Sequence, residues 1–120
     1  MAGRLGGEKR EVAILMSDIR GFTIVSESLS PEKVITLLNH YFSHMIVVIQ
    51  KYQGIIVDFF GDCVLAFFDP LDGLITSTVN RAAQCALEMQ QAMLGVNLAG
   101  FGQQLPPLRM GIGLHAGEVV

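Results

Sequence analysis

Residues 55–68, IIVDFFGDCVLAFF, are two apolar runs of strand length divided by Gly61-Asp62. A two-residue loop with glycine first suits a type II′ turn, so the stretch predicts a β-hairpin. A hairpin in mid-chain with helical patterns on both sides constrains the fold more than any other feature. Asp58 and Asp62 are the only charged residues in this apolar stretch. An ionised carboxylate is costly to bury without a partner, so each needs a reason to be there.

On the N-terminal side, residues 31 to about 52 carry apolar side chains at Val34, Leu37, Leu38, Tyr41, Phe42, Met45, Ile46 and Ile49, the spacing of an amphipathic helix. Ser30 suits the N-cap, Pro31 the first helical position and Glu32 the positive end of the dipole, while Gly54 is placed to stop the helix. On the C-terminal side, residues from about 74 to 95 resume helical spacing through Val79, Ala82, Ala83, Ala86, Leu87, Met89 and Met93. NLAGFGQQLPP, residues 97–107, then reads as a loop. EVAILMSD, residues 11–18, predicts a buried central strand, IRGFTIVSESLS a short helix from Phe22 or Thr23, and LRMGIGLHAGEVV a last strand. The order β-α-α-β-β-α-β is that of a ferredoxin-like α+β domain, an antiparallel sheet with helices on one face.

The 120 residues suffice for one such domain. A hydrophobic fraction of 51% and a charged fraction of 16% exclude a disordered tail, and a net charge of −3 gives no footprint for nucleic acid. VAILM, residues 12–16, is too short for a signal-peptide core or a membrane span, and a cytoplasmic protein is expected. Cys63 and Cys85 lack metal-ligand spacing and read as buried thiols. MAGRLGGEKR, residues 1–10, reads as a linker or tail, leaving 11–120 as the domain. The open end of the last strand suggests a domain truncated at its C-terminus.

In this topology Asp18, ending the first strand, comes close to Asp62 at the hairpin turn. Paired carboxylates repel unless a proton or cation lies between them. Mg²⁺ takes one or two carboxylates together with substrate phosphates, and the glycine-containing run Ile19–Thr23 opens a helix whose free N–H groups suit a phosphate. Ordinary turn chemistry at Gly61-Asp62 and a strand-ending Asp18 are the competing reading.

MSDIRGFTIVSESLSPEKVITLLNHYF and GIIVDFFGDCVLAFF closely resemble the catalytic domain of class III nucleotidyl cyclases, the adenylate and guanylate cyclase family of bacterial type. ALEMQ and LRMGIGLHAGEVV continue the resemblance from about residue 10 to the last. The resemblance implies that Asp18, Asp62 and the backbone carbonyl of Ile19 hold two divalent cations, Mg²⁺ or Mn²⁺. It places Gly21, Phe22, Thr23 and Gly61 against a nucleoside triphosphate, and it implies a 3′,5′-cyclic nucleotide as product. A homodimer and an upstream sensor or receiver domain are the expected partners.

Asp58 stands where adenylate cyclases of the family carry a lysine and guanylate cyclases a glutamate, so it is the expected base-reading residue; a solvent-facing strand position is the alternative. The Asn and Arg that steady the family's transition state match no residue here, Arg81 and Arg109 included. The fragment alone is therefore expected to be inactive, and a non-catalytic regulatory or dimerisation module is the second reading of the whole. His40 and His44, four apart on a helix, lack the glutamate of a metalloprotease motif and read as packing or surface residues. His115, in the last strand, stands where the family has a similar histidine, and no direct chemistry is assigned to it.

Overall fold

A computed structural model describes residues 10–71 and 73–119. Seven elements follow in order: β1 (Arg10–Ile19), α1 (Phe22–Glu27), α2 (Pro31–Lys51), β2 (Ile55–Phe60), β3 (Cys63–Phe68), α3 (Ile75–Gly102) and β4 (Met110–Val119). The strands form one sheet in the order β2-β3-β1-β4, with every neighbouring pair antiparallel. This is the ferredoxin-like arrangement with β1 at the centre. Of the expected linker, residues 1–9 lie outside the described residues, whereas Arg10 already belongs to β1 and pairs with Asp69.

The register divides each strand between two faces. Ala13, Leu15, Ser17 and Ile19 of β1 align with Val64, Ala66 and Phe68 of β3 beneath the helices, and all seven are buried. Leu37, Tyr41, Met45 and Ile49 of α2 and Ala82, Cys85, Met89 and Val96 of α3 close the core above them. The alternate residues Ile14, Met16 and Asp18, with Cys63, Leu65 and Phe67, lie on the sheet's other face, which carries no helix.

Two helix ends depart from the sequence expectation. Gly54 was expected where α2 stops, but Gln53 takes the positive φ of 62°. Gln53 N–H donates to the Gln50 carbonyl and Gly54 N–H to that of Ile49, both at 2.9 Å, a Schellman ending. Gly54 is needed for space instead: a Cβ there would lie 2.8 Å from Ile49 Cγ2 and 2.9 Å from the Phe68 ring. The second departure is in α3, which runs to Gly102, well into the segment expected as loop, and ends in the same motif with Gln104 at φ 60°. Its added turns are held by tertiary contacts. The Asn97 side-chain amide donates to the Leu108 carbonyl at 3.0 Å and its carbonyl accepts from Leu108 N–H at 2.8 Å, while Val96 and Gly100 are buried. Packing here outweighs the low helix propensity of Gly95, Gly100 and Gly102.

The two residues at the end of α2 should therefore respond in opposite directions. Gly54→Ala overpacks a closed corner and should cost about 1–3 kcal/mol. Gln53→Gly relieves a left-handed residue and should be neutral or stabilising by up to about 1 kcal/mol. Urea unfolding midpoints measure both, and a Gly54→Ala midpoint equal to that of the parent would contradict the packing account.

Candidate active site

The hairpin turn meets the expected geometry. Gly61 has φ 59° and Asp62 has no positive φ, the type II′ combination, so the chain reverses between paired Phe60 and Cys63. The β1–β3 ladder runs as far as Ser17 opposite Val64. Two steps further, Ile19 comes opposite the turn, where no backbone carbonyl continues the ladder. Asp62 takes over that role, its Oδ2 accepting from Ile19 N–H at 2.8 Å. A hydrogen bond to an ionised acceptor is among the stronger kinds, and this one ties the turn to the end of the central strand. Because the N–H and C=O of one strand residue share an edge, the Ile19 carbonyl also points toward Asp62.

Asp18, one residue earlier, is carried to the same end of the sheet on its open face. Its Oδ1 is buried and accepts no hydrogen bond; the nearest cation is Arg20 Nε, at 3.7 Å. The Arg20 guanidinium rests on Gly111, which the β1–β4 register places opposite Asp18, and a Cβ at Gly111 would collide with it. Motif reading missed Arg20 and Gly111. The available signal was the GIG run of β4, where missing side chains leave room for a neighbour.

The negative charge of this corner reaches its neighbours. Tyr41 lies in the core with its hydroxyl 3.4 Å from Ser17 Oγ. Burial pushes the Tyr41 phenol up to about 12; the Ser17 bond works against the shift, and the charges of Asp18 and Asp62 add to it. The Cys63 thiol is also pushed up, by burial first and then by Asp62 and Asp18. Both carboxylates thus act on the same two groups, as expected for acids brought to one place.

Among the described residues, no group of three or more His, Cys, Asp and Glu side chains is assembled that would hold a metal ion. A closed protein cage is therefore absent among them. Two carboxylates, one of them with a buried oxygen that accepts no hydrogen bond, together with a carbonyl aimed at the same point, still fit a hard divalent cation that shares its shell with phosphates.

Gly21 is left-handed (φ 66°, ψ 27°) and begins α1, whose first turn has no side-chain cap and no acidic residue. Phe22 and Thr23 are the first helical residues, next to the Asp18–Asp62 corner in sequence. Asp58 lies on the open face because β2 carries a bulge between Ile56 and Asp58. Ile56 pairs with Ala66 on the helix face, the bulge absorbs Val57, and Asp58 pairs with Leu65. Without the extra residue Asp58 would point into the core. Its Oδ1 accepts from Phe59 N–H at 2.8 Å, and the residue is exposed.

Two of the histidines bond to helix carbonyls. His40 Nε2 lies 2.9 Å from the Val96 carbonyl, linking α2 to α3, and His44 Nδ1 lies 2.9 Å from the His40 carbonyl. Arg81 is spent on the Asp69 carbonyl at 2.6 Å, while Arg109 lines a shallow cavity of about 400 Å³ with Arg20 and Gln90. Both cysteines are free thiols, Cys85 buried and Cys63 partly so. No helix among the described residues is long and apolar enough to cross a membrane.

Comparison with known proteins agrees with this geometry. Residues 7–120 match the adenylate and guanylate cyclase catalytic domain. Adenylate cyclase 1 of Rhizobium meliloti (strain 1021) is 33% identical over 123 residues, covering 99% of this chain and 18% of the relative. The adenylate cyclase of Anabaena cylindrica is 36% identical over 115 residues, covering 92% and 22%. The crystal structure of the guanylyl cyclase Cya2 superposes with a TM-score of 0.88 at 44% identity, over 94% of this chain and 57% of that one. The adenylyl cyclase CyaB from P. aeruginosa gives 0.85 at 31%, over 92% and 58%. The chain thus spans little more than half of the solved domains and about a fifth of the curated relatives it matches. With two carboxylates at the end of a ferredoxin-like sheet and a family match along nearly its whole length, the chain belongs to the class III nucleotidyl cyclases of bacterial type, the adenylate and guanylate cyclase catalytic domain family.

Proposed function

We propose that this chain supplies the metal-binding half of a cyclase active site that converts ATP or GTP to a 3′,5′-cyclic nucleotide and pyrophosphate for intracellular signalling. The observation that carries this reading is the bond from Ile19 N–H to the Asp62 carboxylate, which sets that acid beside Asp18 and its buried Oδ1. Two divalent cations, Mg²⁺ or Mn²⁺, held by Asp18, Asp62 and the Ile19 carbonyl, would activate the ribose 3′-hydroxyl and neutralise the leaving pyrophosphate. Gly21 turns the chain so that the uncapped start of α1 offers the N–H groups of Phe22 and Thr23 to the triphosphate. Gly61, with nothing within 4 Å of a Cβ, leaves the hairpin side of the same approach clear.

The partners follow from the family resemblance. The open sheet face beside the acids carries the exposed apolar side chains of Met16 and Phe60, which suit cover by a second subunit. A homodimer would bring the Asn and Arg expected of the family, and a sensor or receiver domain would join before β1. A nucleoside triphosphate substrate suits a cytoplasmic site.

Removing either acid tests the assignment directly. In the protein carrying the complete domain, Asp18→Asn and Asp62→Asn should each lower turnover at least a hundred-fold with Mn²⁺, since the charge goes while the shape stays. Unchanged circular dichroism would separate this from misfolding. Near-parental turnover in either variant would rule out the two-metal assignment.

A second outcome concerns the 120 residues by themselves. Electrostatic stabilisation of the transition state is usually the largest catalytic contribution, and its family residues match no position here. The purified chain should form no cyclic nucleotide above an Asp18→Asn/Asp62→Asn control. Turnover above that control would place the transition-state groups within this chain.

Asp58 tests base choice. An ionised carboxylate accepts from guanine N1–H but faces another acceptor at adenine N1. A mismatched hydrogen bond typically costs about 1–3 kcal/mol, so Asp58→Lys should move the ATP-to-GTP ratio of kcat/KM toward ATP by roughly ten- to a hundred-fold. An unmoved ratio would leave Asp58 as a solvent-facing strand residue.

A further inference from the structure

The inner face of α3 is buried through Thr78, Ala82, Cys85, Met89, Met93, Val96 and Gly100. Its outer face carries four exposed apolar side chains, beside the exposed Gln84 and Gln91. Leu87, Leu94, Leu98 and Phe101 are 66, 69, 67 and 83% exposed, although Leu87 was expected among the packed positions of this helix. At 100° per residue these four fall within one narrow stripe roughly opposite the buried one. A helix apolar on both sides is normally covered on both sides. Among the described residues nothing covers this one.

The surroundings of the stripe limit what fits it. No charged residue occurs from Met89 to Leu108. The two charged side chains of α3 are turned to other partners: Arg81 donates to the Asp69 carbonyl, and Glu88 accepts from Lys51 and Tyr52. A helix that lies on a membrane carries Lys and Arg along its polar face, which this one does not. A charged partner would find nothing to pair with. A second copy of the same stripe needs no complementary charge.

The area is in the range for that. With large apolar side chains each offering on the order of 200 Å² at full exposure, the four present about 500 Å² per copy, hence about 1,000 Å² for a pair, the least that a biological interface should clear. The spacing also selects an orientation. Leu87, Leu94 and Phe101 are seven apart, so reversing the helix about Leu94 brings Leu87 onto Phe101. Antiparallel helices also set their macrodipoles in opposition, which favours this pairing over the parallel one.

We propose that α3 is a self-association surface on which two copies of this chain pair antiparallel about a two-fold axis at Leu94, with Leu87 of each copy against Phe101 of the other. This contact lies away from the open sheet face and does not depend on the cyclase reading. It would join two active-site dimers as readily as two single chains.

Sedimentation velocity and cross-linking test it. The parent protein should sediment at no less than twice the mass of Leu94→Glu, with circular dichroism showing both folded. A dimer formed through the active-site face would survive in Leu94→Glu, which keeps failure of this inference distinct from failure of the cyclase reading. Residues on a two-fold axis meet their own copies, so oxidised Leu94→Cys should form a covalent dimer, while Ile35→Cys on α2, comparably exposed at 60%, should not. Equal masses for parent and Leu94→Glu, or equal cross-linking at positions 35 and 94, would overturn the proposal. Binding to phosphatidylcholine vesicles that is lost in Leu94→Glu without a change in solution mass would assign the stripe to lipid and overturn it as well.

Discussion

The hydrogen bond from Ile19 N–H to the Asp62 carboxylate is the contact on which the arrangement of the site depends. Strand β1 is the central strand, bonded to β3 on one side and β4 on the other, and β4 pairs with it as far as Ile19, so its end is fixed. The hairpin turn is not: a two-residue reversal beyond the last rung of a ladder has freedom to swing. Asp62 removes that freedom by replacing the missing rung with its own side chain. The same bond that closes the fold brings Asp62 to the strand end that carries Asp18.

That placement leaves Asp18 with few partners. Asp18 Oδ1 accepts no hydrogen bond, and the Arg20 guanidinium at 3.7 Å is a contact of the exposed kind that contributes little. Arg20 nevertheless sits in a notch that exists because Gly111 has no side chain, so β4 is shaped around it. The corner thus gathers Asp18, Asp62 and Arg20 at the end of the central strand.

The two long helices divide the remaining work unequally. Helix α2 buries one face against the sheet and shows mostly polar residues on the other. Helix α3 buries one face and leaves Leu87, Leu94, Leu98 and Phe101 in the open, while Asn97 and the buried Val96 hold its last turns in place. The helix is therefore longer than its glycines would allow in isolation, and its outer surface is more apolar than the core requires. A fixed rod with an uncovered apolar stripe is suited to contact with another such rod.

Much of this could be read from the chain alone, because the strongest signals are local. Gly61-Asp62 between two apolar runs specifies a hairpin by turn chemistry, and Ser30-Pro31 ahead of a helical repeat specifies where α2 starts. The element order, the central strand and the two acids at its end follow from those local signals and from the family resemblance. The rest depended on distant contacts. Gly54 appears as a helix stop, yet Gln53 takes the left-handed turn and Gly54 makes room for Phe68, a residue from another strand. The end of α3 reads as loop because its glycines weaken the local preference, whereas Leu108, His40 and the sheet below supply what that preference lacks. Asp58 lies in a strand that simple alternation would turn into the core, and only the bulge at Val57, set by pairing with β3, brings it to the face it shares with Asp18. Turn and cap chemistry is carried by neighbouring residues and is legible in sequence; register, close approach and the facing of a side chain are set by partners far along the chain, and only the folded structure decides them.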